Sequence, residues 1–298
     1  IACPSVYSDN YKAETSDGGT YKLVLNSGYV YDGFGEIKTG VPTYIKIGNK
    51  LFKSDFTSLP ENITATDNGG VLEVILNNYN SSVPLSVCAP NGVNISLTGD
   101  NYICYETSQK SVYSPVNVTF SGSGNLYSGV IETAELAANN TSLNISTGNA
   151  VGNGYALKTA FTSSAMVNID TKFDTAIELT GSSRIERTLT ISCSGTGITG
   201  DGSLTITGEE TNLNITAKNG IDISNKVTVS NAATADINAE NIGIQAHTIS
   251  LKATVTIKTK IGSAIVIDCF DKKSFSQDCY VNLKSNSNAL PAVKAKEQ

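Results

Sequence analysis

Residues 212–268 read NLNITAKNGIDISNKVTVSNAATADINAENIGIQAHTISLKATVTIKTKIGSAIVID. Within them Ile215, Ile237 and Ile257 head equivalent short runs of alternating apolar and polar residues. Ile221, Ile242 and Ile261 head the next runs, and Val229 and Leu251 belong to a third row. A fixed period of this length, holding two or three mini-strands, is the signature of a stacked repeat in which no single repeat can bury its apolar side alone. The runs are rich in Val, Ile and Thr and lack helical spacing, so the repeat is a β-coil. The expected fold is all-β: a right-handed parallel β-helix (β-solenoid) with an irregular N-terminal cap or small β-element.

Working outward, the period continues upstream through strand centres at Val74, Ile95, Val118, Ile145, Ile169 and Ile191. Turn clusters such as DNGG, SGSGN, STGNAVGNG and GTGITGDGS separate them. No proline occurs between Val116 and Leu290, as a ladder that needs every backbone N–H requires. The first 130 residues differ, holding eleven of the thirteen tyrosines and six of the seven prolines. The expected division is residues 1–65 as the N-terminal cap, 66–268 as the β-helix, and 269–298 as a C-terminal disulfide loop and tail. IETAELAANN (131–140) is the one stretch read as a helical turn or two.

The chain has 40% apolar and 16% charged residues and a net charge of −6, which describes a folded chain without a polyelectrolyte tail. No basic patch with interleaved aromatics occurs, which argues against nucleic acid as a partner. No apolar run reaches the roughly 18 residues of a membrane span. The opening IACPSVYSDN reads as the start of a processed, secreted protein. The six cysteines are even in number and lack CxxC spacing. Local pairing joins Cys269 to Cys279 and Cys88 to Cys104, leaving Cys3 for Cys193, and disulfides point to an oxidising, extracellular setting. Sequons for N-glycosylation stand at Asn62, Asn80, Asn94, Asn117, Asn139, Asn140, Asn144 and Asn214.

The stretch GDGSLTITGEETNLNITAKNGIDISNKVTVSNAATADINAENIGIQAHTISLKATVTIKT (200–259) resembles a family of bacterial cell-surface β-helix proteins described as binding carbohydrate and preferring cellulose or acidic sugars. Gly200–Gly202, Leu204–Thr207, Asn219–Ile221 and Val227–Val229 follow its repeat grammar, best over residues 189–268. The resemblance implies a right-handed parallel β-helix able to hold calcium. The nearest candidate ligands are Asp170 with Asp174 and Asp268 with Asp271; no other metal or cofactor is expected.

A glycosidase on such a fold needs two clustered carboxyl groups, and a nucleophile or phosphate enzyme needs its own motif. None of these patterns is present. The lone His247 reads as a turn residue, and Arg184 and Arg187 sit three apart with only Glu186 as a nearby acid. Sugar binding uses exposed aromatic faces, for which Tyr29, Tyr31, Tyr102, Tyr105 and Tyr113 are the candidates, with burial under the cap as the competing role. Two functional classes follow. The expected one is a non-enzymatic extracellular structural glycoprotein that self-associates through its ends, residues 1–10 and 290–298, into a fibre, coat or adhesive surface. The alternative is a carbohydrate-binding module for a cell-wall or acidic polysaccharide.

Overall fold

The computed structural model describes residues 41–53 and 56–267 in full. Outside them it describes, as backbone, the strands Tyr11–Ser16, Thr20–Leu25, Tyr29–Tyr31, Ile37–Thr39, Val281–Ser285 and Val293–Ala295. The chain is all-β, and its parallel coils stack into a solenoid of about nine turns. Among the described residues there is no helix, and so none long and apolar enough to cross a membrane.

Each coil lays one strand on each of three faces. The first face stacks Val71–Asn77, Val93–Thr98 and Val118–Ser121, and further on Ser183–Ile185, Leu204–Thr207 and residues 227–230. The second stacks Asp100–Ile103, Asn125–Ser128, residues 142–145, then 167–171, Leu189–Cys193, 212–216, 234–239 and Thr254–Thr259. The third carries Leu85–Cys88 and Lys110–Ser114 at one end, and 175–179, Thr196–Gly200, 219–223 and Ile265–Ile267 toward the other. Val281–Ser285 and Val293–Ala295 extend the second and third faces in register.

Alternation places every second side chain inside the column. Ile169, Ile191, Ile215, Ile237 and Ile257 are ladder partners in turn, none more than 2% exposed. This is the column that the sequence period marks. The second expected column is corrected. Ile221 pairs with Ile244 and Ile244 with Ile265, while Ile242 lies opposite Asn219 and Ile261 is 59% exposed. The register shifts at the corner between Ala217 and Asn219, and the ladder resumes at Ile242 with the inward position two residues later, at Ile244. Val229 does pair with Leu251.

The upstream row needs the same kind of correction. Val74 and Ile95 are partners, but Ile95 meets Phe120, and Val118 meets Leu136. Ile145 lies on the next face, opposite Ser128. Residues 131–140 are strand, not helix, with Leu136 and Ala138 turned into the core.

Glycine sets how tightly faces two and three meet. Gly197, Gly220 and Gly243 stand one coil apart beside the isoleucine column. A Cβ on Gly197 would lie 2.8 Å from Ile215 Cγ2, and one on Gly220 2.5 Å from Ile237 Cγ2. A different device closes the start of the stack. Tyr44–Ile47 pairs antiparallel with Leu85–Cys88, and Ile63–Asn68 antiparallel with Val71–Asn77. Parallel pairing thus ends in antiparallel strands on two faces, which covers edges that would otherwise template another chain.

Candidate functional site

The outer side of the second face carries the most distinctive surface. In the strand Asp100–Ile103, Asn101 and Ile103 point inward and are fully buried, so Tyr102 points out. Asn101 anchors the corner. Its amide donates to the carbonyls of Thr98, Gly99 and Asn125, and its oxygen accepts from the Tyr79 N–H. One coil on, Tyr127 is the ladder partner of Tyr102. Their rings stack at 4.6 Å between centroids and 9° between planes. That distance is essentially the strand spacing of a sheet, so the stack is a direct copy of the coil repeat. Cys104 and Glu106 have left-handed φ values of 43° and 58°, which fold the corner so that Tyr105 meets both rings edge-on, at 6.1 and 5.5 Å. Beside the pair lies an open depression of about 320 Å³ bordered by Asn80, Ser81, Ser82 and Thr107.

The row continues past the tyrosines. Asn144 pairs with Tyr127 and accepts a hydrogen bond from Asn168 Nδ2 at 3.0 Å. Thr190, Asn214, Asp236 and Thr256 follow in register. A second outward row runs alongside through Asp170, Ser192, Thr216, Asn238 and Lys258. The result is a flat polar face, one hydrogen-bonding side chain per coil per row, headed by an aromatic platform. A groove at its far corner is lined by Lys218, Lys258 and Lys260 with Glu240.

A second cluster crosses the third face. Glu132 accepts from Lys110 Nζ at 2.7 Å and from the Tyr155 hydroxyl, and Lys158 pairs with Glu178 at 2.6 Å. Burial would raise the Glu132 pKa, but the bonds from Lys110 and Tyr155 and the nearby lysine charges outweigh it and hold the carboxyl below its ordinary 4.5. Burial, then the bond to Glu132, pushes the Tyr155 phenol up, so it stays protonated and donating. Each of these groups is engaged by another, and the cluster binds successive coils together.

The sequence-derived sites fall as follows. Asn62, Asn80, Asn139, Asn140 and Asn214 are exposed. The amides of Asn94, Asn117 and Asn144 are committed to Glu73, Glu135 and Ser142. Cys88 and Cys104 are free buried thiols, against the bridge expected from their spacing. The intervening chain passes round the coil, leaving Cys88 at the end of a third-face strand and Cys104 just past a second-face strand. Cys193 is also free, so it is not joined to Cys3; its thiol donates to the Phe173 carbonyl at 3.3 Å. Burial raises the pKa of all three thiols, to about 11 for Cys88. Cys3, Cys269, Cys279, Asp268 and Asp271 lie outside the described residues. Asp170 and Asp174 are exposed, and among the described residues no three acidic, His or Cys side chains converge on a metal-sized site. His247 is exposed, and Arg184 and Arg187 pair with Glu186 and Glu210, each at 2.7 Å.

Of the tyrosine candidates, Tyr102 and Tyr105 come together. Tyr113 lies on the third face with Lys110 over its ring, and the side chains of Tyr29 and Tyr31 lie outside the described residues. Tyr127 completes the platform and is not among the candidates named from sequence. Its signal was available: it follows Tyr102 by one coil, 25 residues. Comparison of the chain with known protein families, curated proteins and solved structures finds no match.

Proposed function

We propose that this solenoid is a non-enzymatic carbohydrate-binding protein of the extracellular kind, whose second face receives a polysaccharide laid along the solenoid axis. The observation that carries the reading is the stacked Tyr102–Tyr127 pair heading an in-register row of Asn, Thr and Asp side chains. The stacked rings present apolar edges outward and leave one face of Tyr102 free, which offers apolar area to a sugar ring at low entropic cost, and the polar row supplies donors and acceptors for its hydroxyls. Consecutive coils repeat about every 4.8 Å, comparable to the advance per sugar of an extended chain, so successive sugars would meet equivalent side chains.

Self-association through chain ends draws less support. Antiparallel strands cover the first coil on two faces. Among the described residues the exposed large apolar ones, Val41, Ile75, Val83, Val151, Met166 and Ile261, are spread along the chain. Residues 1–10 and 290–292, with 296–298, lie outside the described residues.

Native affinity electrophoresis tests the reading. Chain made without glycans is run through gels containing a linear β-glucan, a mannan, a galactan or a uronan. At least one gel retards the protein. Tyr102→Ala and Tyr127→Ala abolish most of the retardation, and Tyr113→Ala, on another face, preserves it. Equal mobility in every gel, or retardation untouched by the two platform variants, overturns the proposal.

A further inference from the structure

The tyrosine stack has an asparagine of a sequon at each end. Along the second face the order is Asn80, Tyr102, Tyr127, Asn144, each the ladder partner of the next. Asn80 opens Asn80-Ser81-Ser82 and Asn144 opens Asn144-Ile145-Ser146. The two ends differ. Asn144 is half-buried, donates to Ser142 Oγ at 3.2 Å and accepts from Asn168. Asn80 is exposed and borders the depression that Tyr102, Tyr105 and Thr107 line.

We propose that Asn80 carries an N-linked glycan whose first sugar continues the Tyr127–Tyr102 stack by one more coil, covering the free face of Tyr102. The rings of Tyr102 and Tyr127 repeat at the coil spacing, and Asn80 stands at the next coil position in the same row. A sugar ring attached to its Nδ2 therefore emerges beside the ring of Tyr102, over the depression. Of the exposed sequon asparagines, Asn214 has Thr190 and Asp236 as its row neighbours, so its sugar would meet no ring. A sugar on Asn144 would require its amide to leave Ser142.

The modification is a group transfer from a lipid-pyrophosphate-linked oligosaccharide. Asn80 Nδ2 forms a bond to C1 of the first sugar, the C1–oxygen bond to pyrophosphate breaks, and the amide gives up one proton. The covering of Tyr102 stands independently of any free ligand. If the platform also binds polysaccharide as proposed above, the attached glycan competes for it, and occupancy at Asn80 sets whether the platform is open.

The test uses the full chain secreted from glycosylating eukaryotic cells, alongside Asn80→Gln and Ser82→Ala chains from the same cells. Glycopeptide mass spectrometry reads occupancy at Asn80, and nitration by tetranitromethane reads access to Tyr102, with Tyr113 as internal reference. Asn80 is occupied in the wild type and empty in both variants. Tyr102 nitrates several-fold faster in the variants. Trimming the wild-type glycan to its first sugar leaves Tyr102 protected, and complete removal by amidase exposes it. An unmodified Asn80 in the secreted chain, or equal nitration of Tyr102 in all forms, overturns the proposal. Neither outcome bears on polysaccharide retention by unglycosylated protein, so the two readings fail separately.

Discussion

Gly220→Ala probes one of the close approaches between faces two and three. Gly220 has no left-handed φ, so its glycine is not required by backbone conformation. It is required by space. A Cβ there lies 2.5 Å from Ile237 Cγ2 and closer still to the carbonyl oxygen of Gly243, when ordinary contact begins near 3.4 Å. Neither neighbour is free to yield: Ile237 is 1% exposed in a continuous column, and Gly243 is tied to the next coil through its N–H, which donates to the Ser263 carbonyl. Overpacking of this kind costs about 1–3 kcal/mol. Alanine's smaller unfolded-state entropy returns about 0.4–1 kcal/mol, leaving a net loss of about 1–2 kcal/mol. With a urea slope of about 3 kcal/mol/M, the midpoint falls by about 0.5 M. The control is Gly181→Ala, whose Cβ would meet only the Ala160 methyl, at 3.3 Å; it should stay within about 0.5 kcal/mol of wild type. Urea unfolding followed by far-UV circular dichroism separates the two. A Gly220→Ala midpoint equal to or above that of wild type, at unchanged slope, would refute the steric account of the glycine ladder.

Four further outcomes follow from the same geometry. Ile237→Ala, which empties one position of a buried column, should cost about 2–5 kcal/mol in the same unfolding assay. The Ser128 hydroxyl is buried between Ile103 and Ile145 on the ladder with no hydrogen-bond partner, so Ser128→Ala should raise stability by about 1 kcal/mol. The depressed pKa of Glu132 means that its ionised form stabilises the fold above the ordinary carboxylate range, and that this contribution fades as pH falls through the folded value. The thermal-midpoint gap between wild type and Glu132→Gln should therefore be full at pH 7 and shrink below about pH 4.5. Cys88, Cys104 and Cys193 should resist alkylation in the native protein at pH 8 and react fully in denaturant, as peptide mapping would show.

The β-solenoid was legible because isoleucine recurs at a nearly fixed interval, and the buried column from Ile169 to Ile257 follows that interval through separations of 22, 24, 22 and 20 residues. The neighbouring column was misread because each corner holds a variable number of residues. Ile242 and Ile261 look periodic but stand two and four residues ahead of the inward-facing Ile244 and Ile265. The better marker is a Gly-Ile step: Gly197-Ile198, Gly220-Ile221 and Gly243-Ile244, with Ala264-Ile265 closing the series. Its physical basis is the close approach that only glycine allows. Cysteine spacing misled for a related reason. In this solenoid Cys88 and Cys104, sixteen apart, lie on different faces, and neighbours in space are about a coil apart. The clusters on faces two and three obey that rule: Tyr102 with Tyr127, Glu132 with Tyr155, Asn144 with Asn168.

The position of the tyrosine platform also has a physical reason. In a stacked array each coil is held by its two neighbours, and a terminal coil has only one. Rings held at coil spacing stay stacked only if the coils beneath them do not fray. Tyr102 stands one coil beyond the coil that the antiparallel strands cap, and its backbone N–H is bonded to the Tyr79 carbonyl of that capped coil at 2.7 Å. The corner beneath it is fixed by the four bonds of buried Asn101. The cap therefore does more than block strand addition: it gives the coil before the platform its second neighbour. Loss of Ile63–Asn68 and Tyr44–Ile47 should loosen Tyr102 before the distant column around Ile237, because coupling in such an array passes from coil to coil. Hydrogen exchange on a chain lacking residues 41–68 would show this as faster exchange at 100–103 than at 234–239. Uniform acceleration along the whole stack would mean that the solenoid unfolds as one unit and that the cap holds the platform only by holding everything.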